Sequence, residues 1–137
     1  MTARKGADEM EDTELLQVAM KAKKGAYAPY SHYQVGAAVL TSGEHVYTGV
    51  NVENVSFGAT NCAERTAVFK AVSEGERKIM AVAVAGSGDT IPYPCGICRQ
   101  VLAEFGDQDT RVICSNSNDS YEVYTLGELL PHAFKLR

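Results

Sequence analysis

Cys62 stands two residues before Glu64, and further along the chain Pro94 precedes Cys95 and Cys98 in a C-x-x-C pair. Three thiols and a carboxyl in this pattern are the components of an open zinc site. A catalytic zinc takes three protein ligands and leaves its fourth position to water or substrate. Cys95 and Cys98, three positions apart, share one face of a helix and can hold one metal. Glu64 is then the candidate proton carrier beside the metal's water. C-x-E and C-x-x-C are each weak signals, because a single cysteine is commonly a small buried hydrophobe and the pair can be a redox couple. Their joint placement carries more weight. Both cysteine groups open a predicted helix, where the N-terminal dipole favours thiolates. Residues two apart on a regular helix point to nearly opposite sides. Cys62 and Glu64 can therefore face one pocket only if Cys62 lies at the helix tip.

Three thiolates on a divalent zinc leave a charge of about −1, which weakens the metal as a Lewis acid. A neighbouring donor should draw charge off the sulfurs, and Arg65 and Gln100 are the candidates. Cys114 sits in the β pattern of residues 111–115 and is expected in the core. A fourth thiolate would close the site and make the metal structural. His32, His45 and His132 have no ligand spacing.

With 137 residues the chain has room for one domain. A formal charge of −4 argues against a broad surface for nucleic acid or anionic membrane. The longest apolar run, residues 79–85, is far short of a membrane span. The N-terminal stretch has no apolar core of a secretory signal, so a cytoplasmic location is expected. There, cysteines serve metals or catalysis more often than disulfides.

Residues 1–11 are polar and are expected to form a flexible segment, followed by one catalytic domain over 12–137. Asp12 or Thr13 can cap a helix with Leu15, Val18 or Ala19, and Ala22 on its apolar face, ended by Gly25. Residues 33–40 and 45–52 predict an antiparallel hairpin, with Gly36 marking a close backbone approach or a bulge. A helix over 61–73 buries Ala63, Ala67, Val68 and Ala71. Residues 79–85 read as a central strand covered on both faces. A further helix starts near Cys95, with Pro94 just before it, and ends at Phe105-Gly106. Strands at 111–115 and 121–124 are joined by a loop too short for a crossover. Thr125 and Glu128 form a capping box for a short helix stopped by Pro131. This order predicts an α/β, three-layer domain: a mixed five-stranded sheet, helices on both faces, and the last two strands antiparallel.

C-x-E followed by P-C-x-x-C is the three-cysteine form of a zinc deaminase signature. Together with PYSHYQVGAAV (29–39), NVEN (51–54), CAERTA (62–67), PCGICRQV (94–101) and LLPHAF (129–134), it makes the chain resemble the small, homotetrameric, zinc-dependent cytidine deaminases over nearly all its length. The resemblance implies one zinc per chain on Cys62, Cys95 and Cys98, with Glu64 shuttling protons. It places Asn51 and Glu53 on the sugar hydroxyls of a nucleoside, and strand alternation would put the two on one face. It also places Ala63 at the substrate, and Phe134 in a neighbouring subunit's site, near the subunit interface. Tyr33 stands where the family usually has Phe; it can stack on the base, add a hydrogen bond, or pack into the core. The implied reaction is hydrolytic deamination of cytidine and deoxycytidine to uridine and deoxyuridine plus ammonia, in pyrimidine salvage. Competing readings are a deaminase of another aminopyrimidine, such as blasticidin S, a nucleic-acid-editing deaminase, and a zinc-stabilised binding module without activity. The Asn51 and Glu53 pair argues against the first, and the negative charge and compact length against the second.

Overall fold

The structure is a computed structural model that describes residues 10–136, so residues 1–9 of the expected flexible segment lie outside the described residues. Five strands form one sheet: β1 (Val35–Thr41), β2 (Val46–Val50), β3 (Ile79–Gly86), β4 (Arg111–Ser115) and β5 (Tyr121–Thr125). Their spatial order is β2-β1-β3-β4-β5. Only β3 and β4 run parallel, and the last two strands are antiparallel as expected. A parallel pair needs a crossover, and the helix α3 (Gly96–Phe105) supplies it.

The sheet is covered on both faces because its central strands are apolar on both. Ala37, Val39, Val82, Val84, Val112 and Cys114 face the layer of α2 (Ala63–Ser73) and α3, where Ala63, Ala67, Val68, Ala71 and Leu102 pack on them. The alternate residues Ala38, Leu40, Ala81, Ala83, Ala85 and Ile113 face α1 (Asp12–Ala22) through Leu15, Leu16 and Ala19. This is the two-residue period of a strand read twice. A short helix, α4 (Leu126–Leu129), follows β5, and Thr125 with Glu128 closes the expected capping box. The cap of α1 differs from expectation. It is Glu11, whose backbone N–H donates to Glu14 Oε1 at 3.0 Å. Asp12 is drawn away by Arg111 on β4, whose Nε donates to its carboxylate at 2.8 Å.

Two glycines set how closely the helices approach the sheet. A Cβ on Gly36 would lie 2.2 Å from the Ala19 carbonyl oxygen, so the expected close approach is present, against α1. A Cβ on Gly49 would lie 2.4 Å from the Ala67 nitrogen and 2.5 Å from the Ala63 oxygen, inside the first turn of α2. Both obstacles are backbone, which cannot move aside as a side chain does. G49A is expected to destabilise the fold by about 3 kcal/mol, a fall of roughly 10 °C in Tm. G58A, whose Cβ meets nothing within 4 Å, should stay within about 0.5 kcal/mol. Thermal and urea unfolding of the two variants compares them directly.

Candidate metal centre

The N-termini of α2 and α3 converge at the end of the sheet where β1 begins and β3 finishes, Val35 being paired with Gly86. Cys62 is the N-cap of α2 and Cys95 the N-cap of α3, both with extended backbone. An N-cap residue is out of helical phase with the residues of the first turn. Cys62 therefore projects from the helix tip while Glu64 sits in the first turn, as one shared pocket requires.

The Sγ atoms of Cys62 and Cys95 are 3.9 Å apart, and the three sulfurs of Cys62, Cys95 and Cys98 lie within 4.8 Å of one another. Tetrahedral zinc with Zn–S bonds of about 2.3 Å needs sulfurs about 3.8 Å apart. The donor set fits zinc in both chemistry and spacing. Exposure is graded across it: Cys98 is buried, Cys62 half-buried and Cys95 exposed. Cys114 is buried in the core beneath α2 and α3 and is not part of the sulfur group, as expected.

Arg65 donates from Nη2 to Cys62 Sγ at 3.3 Å. Its Nε is buried with no partner, a cost of about 1–3 kcal/mol for an unpaired N–H. The guanidinium is held there beside the sulfurs against that cost. Hydrogen bonding from Cys98 and then Arg65 pull the Cys62 thiol down to about 5. Cys98 is pushed up, first by its bond to Cys62 and then by burial. Burial pushes the Glu64 carboxyl up to about 7, with the negative Cys62 adding to the rise and Arg65 opposing it. Glu64 is 5% exposed.

Gln100 departs from the expectation. Its Nε2 donates to the Phe134 carbonyl at 3.0 Å rather than to a sulfur. Two residues beyond Cys98, it lies on nearly the opposite side of α3. Arg99 has a role that its position in the sequence does not signal. Its Nε donates to the Pro94 carbonyl and its Nη1 to the Leu129 carbonyl, each at 2.8 Å, joining the start of α3 to the end of α4.

Asn51 and Glu53 lie beyond the end of β2, in an extended segment held by bridges from Val52 to Tyr27 and Asn61. Asn51 is buried; its Nδ2 donates to the Tyr33 carbonyl at 2.8 Å and its Oδ1 accepts from the Val35 N–H at 2.9 Å. Glu53 accepts from the N–H groups of Tyr30 and Ser31, at 3.0 and 3.1 Å, and from the Ser31 hydroxyl. The half-buried Tyr33 lies across Gly86 and Gly88; a Cβ on Gly86 would sit 2.2 Å from its hydroxyl. Burial and the charge of Glu64 both raise its pKa. Ala63 is fully buried at the start of α2, and Phe134 is 70% exposed. A cleft of about 780 Å³ beside α4 and the C-terminal segment is lined by none of the sulfur-bearing residues.

Comparison with known proteins agrees with this geometry. The family described as "Cytidine and deoxycytidylate deaminase zinc-binding region" matches residues 9–115. The chain is 49% identical over 125 residues to a cytidine deaminase of Halalkalibacterium halodurans, covering 91% of this chain and 95% of that one. It is 45% identical over 125 residues to one from Sporosarcina psychrophila, covering 91% and 92%. The crystal structure of a cytidine deaminase from Burkholderia pseudomallei superposes with a TM-score of 0.87 at 44% identity, over 91% of this chain and all of that one.

The thiol cluster separates the roles of the cysteines. Elemental analysis of purified C114A is expected to find one zinc per chain, as in the wild type. C95S should retain its far-UV circular dichroism, because the side chain is exposed, yet lose most of its zinc.

Proposed function

The chain belongs to the cytidine and deoxycytidylate deaminase zinc-binding family, and on that premise we propose that it converts free cytidine and deoxycytidine to uridine and deoxyuridine, with release of ammonia. The observation that carries this reading is a buried carboxyl, Glu64, at the tip of the helix whose N-cap belongs to a three-thiol cluster. Cys62, Cys95 and Cys98 would hold the zinc. When bound, zinc supplies Lewis acidity and lowers the pKa of a water at its open position.

Glu64 takes the proton shed by the water and delivers it to N3 of the pyrimidine ring. It then carries a proton to the amine on C4, which leaves as ammonia while the water oxygen stays on C4. A carboxyl raised toward neutrality suits both steps, since an acid–base group works best with a pKa near the working pH. Arg65 offsets the surplus negative charge of the thiolates. Glu53 and Asn51 hold the sugar hydroxyls. Hydrogen bonds led by the Ser31 hydroxyl keep the Glu53 carboxyl below its ordinary range, so it is ionised and keeps about one free acceptor site for a sugar hydroxyl. Asn51 retains one N–H and one lone pair for the same purpose. Tyr33 and Ala63 contribute to the base pocket.

The net charge of −4 supports a free nucleoside rather than a nucleic acid as substrate. Among the described residues no helix is long and apolar enough to cross a membrane. We further propose a homotetramer in which Phe134 completes a neighbour's site, acting in the cytoplasm in pyrimidine salvage. The exposure of Phe57, Ile97 and Phe134, at 85%, 61% and 70%, supports an assembly that covers them.

Loss of cytidine absorbance and release of ammonia test the reaction. E64Q is expected to keep its zinc and its fold while slowing turnover at least about 100-fold. Wild-type protein carrying one zinc per chain that is inert toward both nucleosides would overturn the proposal. Chelation should abolish wild-type activity, and added zinc should restore it.

A further inference from the structure

Cys95 poses a mechanical problem. It is exposed, so burial does not hold it; its Sγ accepts a long bond of 3.5 Å from the Cys98 N–H, and residues 87–95 that lead to it from β3 contain no helix or strand. On one side Pro94 is buried and its carbonyl accepts from Arg99 Nε. The other side is held by side chains from the opposite edge of the sheet. Tyr93 Oη donates to Glu122 Oε1 at 2.7 Å, and Tyr124 Oη donates to the same oxygen at 2.5 Å. The two rings meet edge to face, with centroids 6.1 Å apart.

Glu122 and Tyr124 are two apart on β5 and therefore share a face. Their partners on β4 are Cys114 and Val112, which face α2 and α3. The carboxylate thus stands at the edge of the layer that holds the sulfurs. One ionised oxygen accepting two phenolic hydroxyls makes charge-assisted bonds. The chain from that oxygen to Cys95 is short: Glu122, Tyr93, Pro94, Cys95.

We propose that Glu122 is a positioning residue for Cys95, with β5 acting through Tyr93 as a brace that keeps this sulfur in place for the metal. The inference rests on the reading of Cys95 as a zinc ligand. Outer partners of metal ligands commonly change metal affinity 10–100-fold when removed. A brace on an exposed ligand should show itself mainly in how fast the metal leaves.

The test is the rate of zinc transfer from the loaded wild-type and variant proteins to a coloured chelator, with the cobalt-substituted proteins read by their thiolate charge-transfer band. E122A is expected to release zinc about 10-fold faster and to alter the cobalt band. E122Q, whose amide oxygen can still accept from both tyrosines, should remain within about threefold of wild type. Tyr93→Phe removes one hydroxyl and no packing, so it gives the same answer if E122A fails to fold; it should release zinc faster than wild type. Val123→Ala, on the opposite face of β5, should release zinc at the wild-type rate. Wild-type release rates in both E122A and Tyr93→Phe would overturn the brace, as would E122Q behaving like E122A, or Val123→Ala matching E122A. A wild-type protein that holds no zinc would instead overturn the reading of the three cysteines as ligands, and the brace with it.

Discussion

Three sulfurs within 4.8 Å of one another cannot all carry negative charge unless a bound metal and their surroundings together supply positive potential. Much of the architecture answers that constraint. Two helix N-termini point at the cluster, each adding roughly half a unit of positive charge, and Arg65 adds a whole one beside Cys62. Bringing two helix tips to one end of a sheet is a topological matter. α3 gets there because it is the crossover between parallel β3 and β4, and α2 because Gly49 lets its first turn rest on β2. The small side chains Ala63, Ala67 and Ala71 then settle it against the sheet. The chemistry of the cluster and the packing of α2 are therefore one problem, since Cys62 and Glu64 ride on the turn that Gly49 admits.

The order of elements is legible in the sequence because each is periodic over its own length. Two-residue alternation writes both faces of the sheet, and the apolar stripe of α2 writes its buried side. Capping is legible to within one or two residues: the sequence points to Asp12 or Thr13, the cap is Glu11, and Asp12 is instead paired with the distant Arg111. The turn of Gln100 away from Cys98 is also legible, because its angular offset follows from the helix itself; its amide meets the Phe134 carbonyl instead. The roles of Arg99 and Glu122 are not legible. Arg99 joins carbonyls 5 and 30 positions away, and Glu122 meets Tyr93 across 29 positions. No local pattern encodes such pairings; they exist only once the sheet order is set.

Asn51 and Glu53, proposed above as binding groups, are also structural ones. Sequence alternation suggests a strand, yet both residues stand past the end of β2, where Val52 bridges to Tyr27 and Asn61. Each side chain already satisfies backbone groups, Asn51 those of Tyr33 and Val35, Glu53 those of Tyr30 and Ser31. That engagement fixes the rotamers before a ligand arrives, which lowers the entropy lost on binding. It also links the proposed sugar-binding pair to Tyr33, because the Asn51 amide proposed to meet a hydroxyl is the one holding the Tyr33 carbonyl. A change at Asn51 would thus be felt at Tyr33 and Val35 as well as at any hydroxyl it holds.

The gradient of exposure across the cluster separates two requirements that pull against each other. A carboxyl with a pKa near neutrality, as a proton carrier would need, requires a dry setting, and Glu64, 5% exposed and pushed up to about 7, has one. A substrate would need an entrance, and Cys95 is the sulfur that solvent reaches most freely. Burying all three cysteines would close that entrance; exposing Glu64 would return its carboxyl toward the ordinary range. The compromise leaves one sulfur without the support of a packed core. Neighbours hold it instead: the Cys98 N–H, which donates to its Sγ at 3.5 Å, Arg99 through the Pro94 carbonyl from within α3, and Tyr93 with Glu122 from the far edge of the sheet. The outermost strand, remote from the site in sequence, is in this way part of the structure that keeps this sulfur both accessible and ordered.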